Sequence, residues 1–250
     1  MGQYAMVIDL NKCVGCHACA LACRAEWGVP VPYHRSWVDR LGPEKTPKGM
    51  SYTFHPALCN HCDHPICVEA CVAEPVEKEF TDPKTGKKVK MMVKATYKHP
   101  FTGIVLVDKD RCLGCGACAV ACPYGARYVD KTKAKPVVDK CTFCFERLEH
   151  GEEPACVRTC IADARIFGDI TDKNSEVYKL VHKKGAVPLV TKDIDLGPNV
   201  YYLGQEKDIF LLKKLCSPKK TPWISQNLEA PARRELLKTA AKKLIDFEKA

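Results

Sequence analysis

The sequence of 250 residues lacks several features that mark common classes of protein. It has no apolar run of about 18 residues, so we predict no transmembrane helix. The first ten residues, MGQYAMVIDL, show no basic segment followed by an apolar one, and we expect no signal peptide here. The patterns G-x-G-x-x-G, G-x-S-x-G and the P-loop are also missing, so nothing predicts a catalytic site.

Cysteine, in contrast, is abundant, with 17 residues in the sequence. The number is odd, which excludes complete pairing in disulfides. A hydrophobic content of 46% argues against disorder. Because a polypeptide of this length can bury a core without covalent staples, the cysteines need another explanation.

Sixteen cysteines fall into four groups, and Cys216 stands alone as a predicted structural or free thiol. Groups one and three have the spacing C-x2-C-x2-C-x3-C, which is typical of bacterial ferredoxins that bind [4Fe–4S] clusters. The middle gaps of groups two and four are longer, with four and 11 residues. Groups one to four are, in order, Cys13, Cys16, Cys19 and Cys23; Cys59, Cys62, Cys67 and Cys71; Cys112, Cys115, Cys118 and Cys122; Cys141, Cys144, Cys156 and Cys160.

Residues 7–23 and 106–122 form an internal repeat, identical at nine of 17 positions. An apolar run that ends in Asp precedes the first cysteine of each copy, which predicts a strand, a cluster loop and a short helix, used twice. Gly15 and Gly114 lie in the loops, where the absence of a Cβ lets the backbone turn and approach a cluster. We expect the last cysteine of each copy to begin a helix and to ligate the other cluster of a pair.

Zinc, disulfides and nucleic acid are the alternatives to iron–sulfur clusters. C-x2-C pairs occur in zinc sites, but the third cysteine of groups one and three would crowd a tetrahedral ion. The short spacing also suits disulfide bridges poorly. The formal charge of +9 would fit nucleic acid, but four clusters with about two negative charges each would offset most of it. We therefore predict no nucleic-acid partner.

With these motifs the protein resembles the four-cluster ferredoxin-like subunits of membrane-associated molybdopterin oxidoreductase complexes, such as dimethyl sulfoxide, polysulfide, tetrathionate and arsenate reductases. The resemblance covers about residues 3–170. It implies an α+β fold of two interleaved modules, each like a bacterial ferredoxin with two clusters. The matching segments are MVIDLNKCVGCHACALAC, LCNHCDHPICVEAC, DKDRCLGCGACAVACPYGARY and DKCTFCFERLEHGEEPACVRTC.

The resemblance also implies how the groups share clusters: groups one and four hold one pair, and groups two and three hold the other. Arg24, Val72 and Ile161 stand where the family usually has proline after the last cysteine, so a labile [3Fe–4S] cluster at one site is an open alternative. We name the four implied ligand sets set 1 (Cys13, Cys16, Cys19, Cys160), set 2 (Cys141, Cys144, Cys156, Cys23), set 3 (Cys59, Cys62, Cys67, Cys122) and set 4 (Cys112, Cys115, Cys118, Cys71).

Three histidines lie in or beside the cysteine groups. Four cysteines suffice for a cluster, so we expect His61 and His64 to lie behind the ligands or to face a partner rather than to bind metal. His17 replaces the Gly116 of the other repeat copy, and it either tunes the nearby cluster or is a solvent-exposed loop residue.

The domain plan has three parts. A four-cluster domain spans residues 1–170, with an insertion at 72–104 whose turn at 82–86 predicts a hairpin. A connecting segment follows at 171–204, and a basic extension at 205–250. In that extension, residues 231–249 predict an amphipathic helix that packs on a partner or the core, or lies on an anionic membrane.

The function that the resemblance implies is electron transfer without a catalytic residue. Single electrons would pass through four clusters between a molybdopterin-type large subunit and an integral membrane quinone-binding subunit, with a multihaem cytochrome c as a further candidate partner. The insertion and the extension favour the menaquinone reductase complex of sulfate-reducing bacteria; polysulfide, thiosulfate and tetrathionate reductases are alternatives. A soluble polyferredoxin that serves a hydrogenase or formate dehydrogenase is the alternative of another class.

We expect the protein to lie at the periplasmic face of the membrane, reached by export with a partner. The cytoplasmic face is the alternative.

Overall fold

The computed structural model describes residues 2–82, 85–191 and 194–215. Strands occur mostly in consecutive pairs, with helices between them. The strands are β1 (Tyr4–Asp9), β2 (Ser36–Thr46), β3 (Gly49–Leu58), β4 (Val76–Thr81), β5 (Lys88–Val93), β6 (Thr96–Lys98), β7 (Val105–Val107), β8 (Tyr128–Asp130), β9 (Val137–Asp139), β10 (Arg165–Asp169), β11 (Val187–Pro188) and β12 (Val200–Leu203). The helices are α1 (Ala18–Trp27), α2 (Ile66–Glu69), α3 (Ala117–Ala121), α4 (Phe145–Glu149), α5 (Ala155–Arg158), α6 (Glu176–His182) and α7 (Glu206–Leu215).

A four-stranded sheet in the order β10-β1-β12-β11 joins distant parts of the sequence. Its strand β1 runs antiparallel to β10 and parallel to β12, and its apolar residues from Ala5 to Ile8 are fully buried, as a strand covered on both faces requires. The pairing of β1 with β10 brings the start of group one beside the end of group four. Strands β11 and β12 come from the segment 171–204 and complete the sheet.

The remaining strands form antiparallel pairs: β2 with β3, β4 with β5, β6 with β7 and β8 with β9. The pair β4–β5 runs in register from Val76 opposite Val93 to Thr81 opposite Lys88. The predicted hairpin of the insertion is therefore confirmed, although its turn residues 83 and 84 lie outside the described residues.

The four cysteine groups share one local geometry. In each group the third cysteine is the second residue of a helix, and the fourth follows four residues later. This spacing places the two sulfurs about one helical turn apart. Both repeat copies contain the predicted strand, loop and helix, as β1 with α1 and β7 with α3.

The expected position of the last cysteine in the repeat was wrong. Cys23 lies inside α1 and Cys122 directly follows α3, so neither residue begins a helix. The helix begins earlier because the residue before it, His17 or Gly116, adopts a left-handed conformation that ends the loop. Alanine then opens the helix in both copies, and it is the residue with the highest helix propensity.

Helix α7 opens the C-terminal extension and packs on β2 and β3, with Leu211 and Leu212 buried. Within residues 2–82, 85–191 and 194–215, no helix combines the length and the apolar character needed to cross a bilayer. The helix predicted at 231–249 and the thiol of Cys216 lie outside the described residues.

Candidate metal centres

Three cavities in the described part of the molecule are each lined by four cysteines from two different groups. In the first cavity Cys160 joins three cysteines of group one, and in the second Cys23 joins three of group four. In the third Cys122 joins three of group two. The cysteines around these cavities are those of sets 1, 2 and 3 respectively. Which cluster each cysteine ligates stays a prediction.

The donor set and the walls of these cavities fit a cubane cluster better than a single ion. Apolar side chains such as Val38, Phe143 and Val105 line them beside the sulfurs. In the described ranges, no three Cys, His, Asp or Glu side chains converge as closely as one metal ion requires. Two buried N–H groups on the walls, Nε of Arg165 and Nη1 of Arg35, have no acceptor among the described residues. Sulfide ions would supply acceptors there.

Cysteines of groups two and three also pack together. Cys112 and Cys118 lie in one small apolar cluster with Cys67 of group two. Helix α2, which precedes Cys71, packs on α3, which holds Cys118. Groups two and three are therefore neighbours across two short helices.

Comparison with known proteins identifies the family. A model of the 4Fe-4S dicluster domain matches residues 50–170, and a model of the 4Fe-4S binding domain matches residues 6–26. The B subunit of tetrathionate reductase from Salmonella typhimurium is 37% identical over 81% of this chain and 72% of its own length. The B subunit of polysulfide reductase from Wolinella succinogenes is 40% identical over 73% of this chain and 84% of its own length. The B subunit of sulfite dehydrogenase from Allochromatium vinosum is 36% identical over 83% of this chain and 85% of its own length.

This protein belongs to the family of [4Fe–4S] subunits of molybdopterin oxidoreductase complexes. Like other members of this family, it is an iron–sulfur subunit that transfers electrons, and it binds several [4Fe–4S] clusters. The comparisons do not single out the menaquinone reductase complex within the family.

Burial raises the pKa of several thiols in the four cysteine groups, so these thiols are protonated at neutral pH. Burial, reinforced by the neighbouring Cys156, raises the pKa of Cys23 to about 12. Burial likewise raises the pKa of Cys122 to about 12 and lifts that of Cys141 well above its ordinary value. Because iron binds thiolates, loading the sites must release these protons.

Several N–H groups donate to sulfurs of the four cysteine groups, as expected in a family whose clusters are tuned by hydrogen bonds. The indole Nε1 of Trp27 donates to Sγ of Cys144 at 3.3 Å. The backbone N–H of Ala164 donates to Sγ of Cys160 at 3.2 Å. Such bonds stabilise negative charge on sulfur and favour the reduced state.

Fully buried basic residues are the feature that sequence reasoning missed. Arg35, Arg127, Arg165 and Lys140 are each at most 3% exposed. Each of the three cavities has one of the arginines in its wall: Arg165 in the first, Arg35 in the second and Arg127 in the third. Lys140 donates to the carbonyl oxygens of Val105 and Cys141. A sequence signal existed, because Arg127 and Arg165 both follow a last cysteine in the pattern C-x3-A-R.

His61 is buried, whereas His17 and His64 are exposed. Nδ1 of His61 accepts a hydrogen bond from the backbone N–H of Val105 at 3.0 Å, which places the ring proton on Nε2. Burial lowers the pKa of His61 well below its ordinary value, so the ring is neutral. The ring stacks on Phe143 with centroids 3.8 Å apart.

Proposed function

We propose that this subunit holds four [4Fe–4S] clusters in sets 1 to 4 and passes single electrons along them between a molybdopterin catalytic subunit and a quinone-binding membrane subunit. A bound [4Fe–4S] cluster supplies one-electron redox chemistry. The observation that carries the proposal is the set of three cavities, each lined by four cysteines from two groups.

Contacts between secondary-structure elements support two interleaved modules. Helix α1 of group one packs on α5 of group four, and β1 pairs with β10 on the flanks of the same two groups. Helix α2 of group two packs on α3 of group three. Each proposed pair of clusters is therefore built from segments that touch, although groups one and four are more than a hundred residues apart in the sequence.

The stacked rings of His61 and Phe143 support an electron path between the two modules. Phe143 lies in the wall of the set 2 cavity, and His61 lies between Cys59 and Cys62 of set 3. Both residues occupy the third position of a C-x2-C loop and have positive φ, 44° for His61 and 53° for Phe143. Because both rings are buried, water is excluded where the second and third clusters would be closest. The proposed order is set 1, set 2, set 3 and set 4.

The partners are proposed from the relatives and from the family resemblance. Relatives named as the B subunits of tetrathionate and polysulfide reductases support a catalytic molybdopterin partner. The family resemblance suggests the quinone-binding membrane subunit, menaquinone as its substrate, a multihaem cytochrome c as donor and the periplasmic face. Purification of the native complex tests these points: recovery with a soluble hydrogenase or formate dehydrogenase alone would contradict the respiratory role.

Two neighbouring cysteines of one helix test the ligand sets directly. Cys19 and Cys23 lie one turn apart in α1, but Cys19 lines the set 1 cavity and Cys23 the set 2 cavity. We expect Cys19→Ala to remove the electron paramagnetic resonance signal of the set 1 cluster and Cys23→Ala that of the set 2 cluster. Two reference variants identify the signals: Cys16→Ala should remove the signal of the set 1 cluster, and Cys144→Ala that of the set 2 cluster. If Cys19→Ala and Cys23→Ala abolish the same signal, the proposed pairing is wrong.

A further inference from the structure

Within residues 2–82, 85–191 and 194–215, Arg127 and Arg165 are buried cations without a buried carboxylate beside them. Arg127 is 2% exposed and Arg165 is 3% exposed. Among the described residues, no carboxylate forms an ion pair with either guanidinium: Arg127 donates to Oγ1 of Thr96, and Arg165 to Oγ of Ser36. Arg35 differs, because its guanidinium is paired with Asp139. An unpaired buried charge is strongly unfavourable, so a compensating anion is needed.

Each of the two arginines lies beside both sets of one proposed pair. Nη2 of Arg127 donates to Sγ of Cys67 in set 3 at 2.9 Å, and Cys67 packs in one buried cluster with Cys112 and Cys118 of set 4. Arg165 lies in the wall of the set 1 cavity and donates to Oγ of Ser36, which lines the set 2 cavity. The two arginines therefore occupy equivalent places in the two modules.

We propose that Arg127 and Arg165 are twin charge-balancing residues, each placed between the two clusters of a pair and each holding both at a higher reduction potential. The inference rests on the proposed ligand sets. Transfer within a pair oxidises one cluster by one electron and reduces the other, with no bond broken and no proton moved. A fixed guanidinium between them offsets the repulsion between two anionic centres and favours the added electron on either one.

Redox titration of the complete complex, followed by electron paramagnetic resonance, tests the proposal. In Arg127→Met we expect the reduction equilibrium of both set 3 and set 4 clusters to weaken at least tenfold, about 59 mV for one electron. Arg165→Met should do the same for sets 1 and 2 and leave sets 3 and 4 unchanged. The matched control is Arg158→Met, which removes the same charge two residues from Cys160 but at an exposed position, where water and salt screen it.

Lysine variants separate charge from packing. Arg127→Lys and Arg165→Lys keep the charge and should restore most of each shift, with iron content unchanged. A shift confined to one cluster, or no shift with full iron content, would overturn the proposal. Loss of iron in both the Met and the Lys variant would show a packing role instead and would also overturn it. The Cys19→Ala and Cys23→Ala variants test the ligand sets independently, so an error in the sets can be distinguished from failure of this proposal.

Discussion

At the residue scale, the ion pair of Arg35 with Asp139 shows how burial decides what a charge contributes. Nε and Nη2 of Arg35 donate to the two carboxylate oxygens at 2.8 Å and 2.7 Å, and the hydroxyl of Tyr128 donates to the same carboxylate at 2.6 Å. Lys109 also approaches Asp139, at 3.4 Å, but its side chain is 44% exposed. One carboxylate thus has a buried and a solvated cationic partner.

We expect Arg35→Met to lower stability by about 3–5 kcal/mol, because it leaves a buried carboxylate without its main partner. Lys109→Met, the matched control, should cost less than about 1 kcal/mol, because water screens that pair. The measurement is the thermal midpoint of the holoprotein at neutral pH. An equal loss of stability in Arg35→Met and Lys109→Met would show that burial does not strengthen the ion pair of Arg35 with Asp139.

The same carboxylate predicts a pH dependence. Burial alone raises the pKa of Asp139, but the hydrogen bonds and charge of Arg35 outweigh it and hold the pKa below its ordinary value. The stability that this group contributes is therefore fully present above its unfolded pKa of about 4 and is lost as pH falls toward the folded pKa. In Arg35→Met this contribution is already missing at neutral pH, so its stability should fall less on acidification.

At the element scale, the cluster loops need glycine for two reasons: the backbone has a positive φ, and there is no space for a Cβ atom. Gly15 and Gly114 have φ of 66° and 65°, the left-handed region that glycine tolerates. A Cβ at Gly15 would overlap the ring of Phe54, and one at Gly114 would overlap the carbonyl oxygen of Pro136. The ring can move, but the backbone carbonyl cannot without shifting the segment before β9.

We expect Gly114→Ala to disrupt the loop of group three and to reduce the iron bound per protein molecule. Gly185→Ala is the matched control, because Gly185 has a similar φ of 73° but nothing within 4 Å of the added carbon. This variant should bind the full amount of iron, and its free energy of unfolding should fall by about 1 kcal/mol because alanine is strained at positive φ. Normal iron content in Gly114→Ala would show that the loop can absorb the clash.

At the scale of the whole molecule, the core and the cofactor sites are the same structure. Buried cysteines such as Cys19, Cys59 and Cys156 belong to the main apolar core, and the buried Arg127 and Arg165 face the cavities. Without clusters, the core would contain cavities lined by thiols and by the uncompensated charges of Arg127 and Arg165. Packing and charge balance therefore both depend on iron.

Removal of iron from the holoprotein should consequently abolish cooperative unfolding. We expect the apoprotein, prepared by oxidation and chelation, to lose its near-ultraviolet circular dichroism and to bind a hydrophobic dye, while the hairpin β2–β3 and part of the far-ultraviolet signal persist. The control is the same treatment with iron and sulfide restored. A sharp thermal transition in the apoprotein would show that the polypeptide alone specifies the core.

Most local features of this protein could be predicted from its sequence. The spacing of sixteen cysteines and the positions of Gly15 and Gly114 predicted the kind of cofactor and the repeated loop, and the turn at 82–86 predicted the hairpin of the insertion. Each of these features depends on residues that are close together in the sequence. The start of the helices was mispredicted within the same motifs, since the left-handed conformation at His17 is not evident from the residue type.

Contacts between residues that are far apart in the sequence became evident from the fold. Strand β1 pairs with β10 and β12, so residues from 4 to 203 share one sheet, and no local pattern shows that pairing. The burial of Arg127 and Arg165 also required the structure: the shared pattern C-x3-A-R marks both positions, but an arginine is ordinarily a solvated residue. Burial of a charge depends on how the whole molecule packs, so the electrostatic environment of the sites is established only in the folded structure.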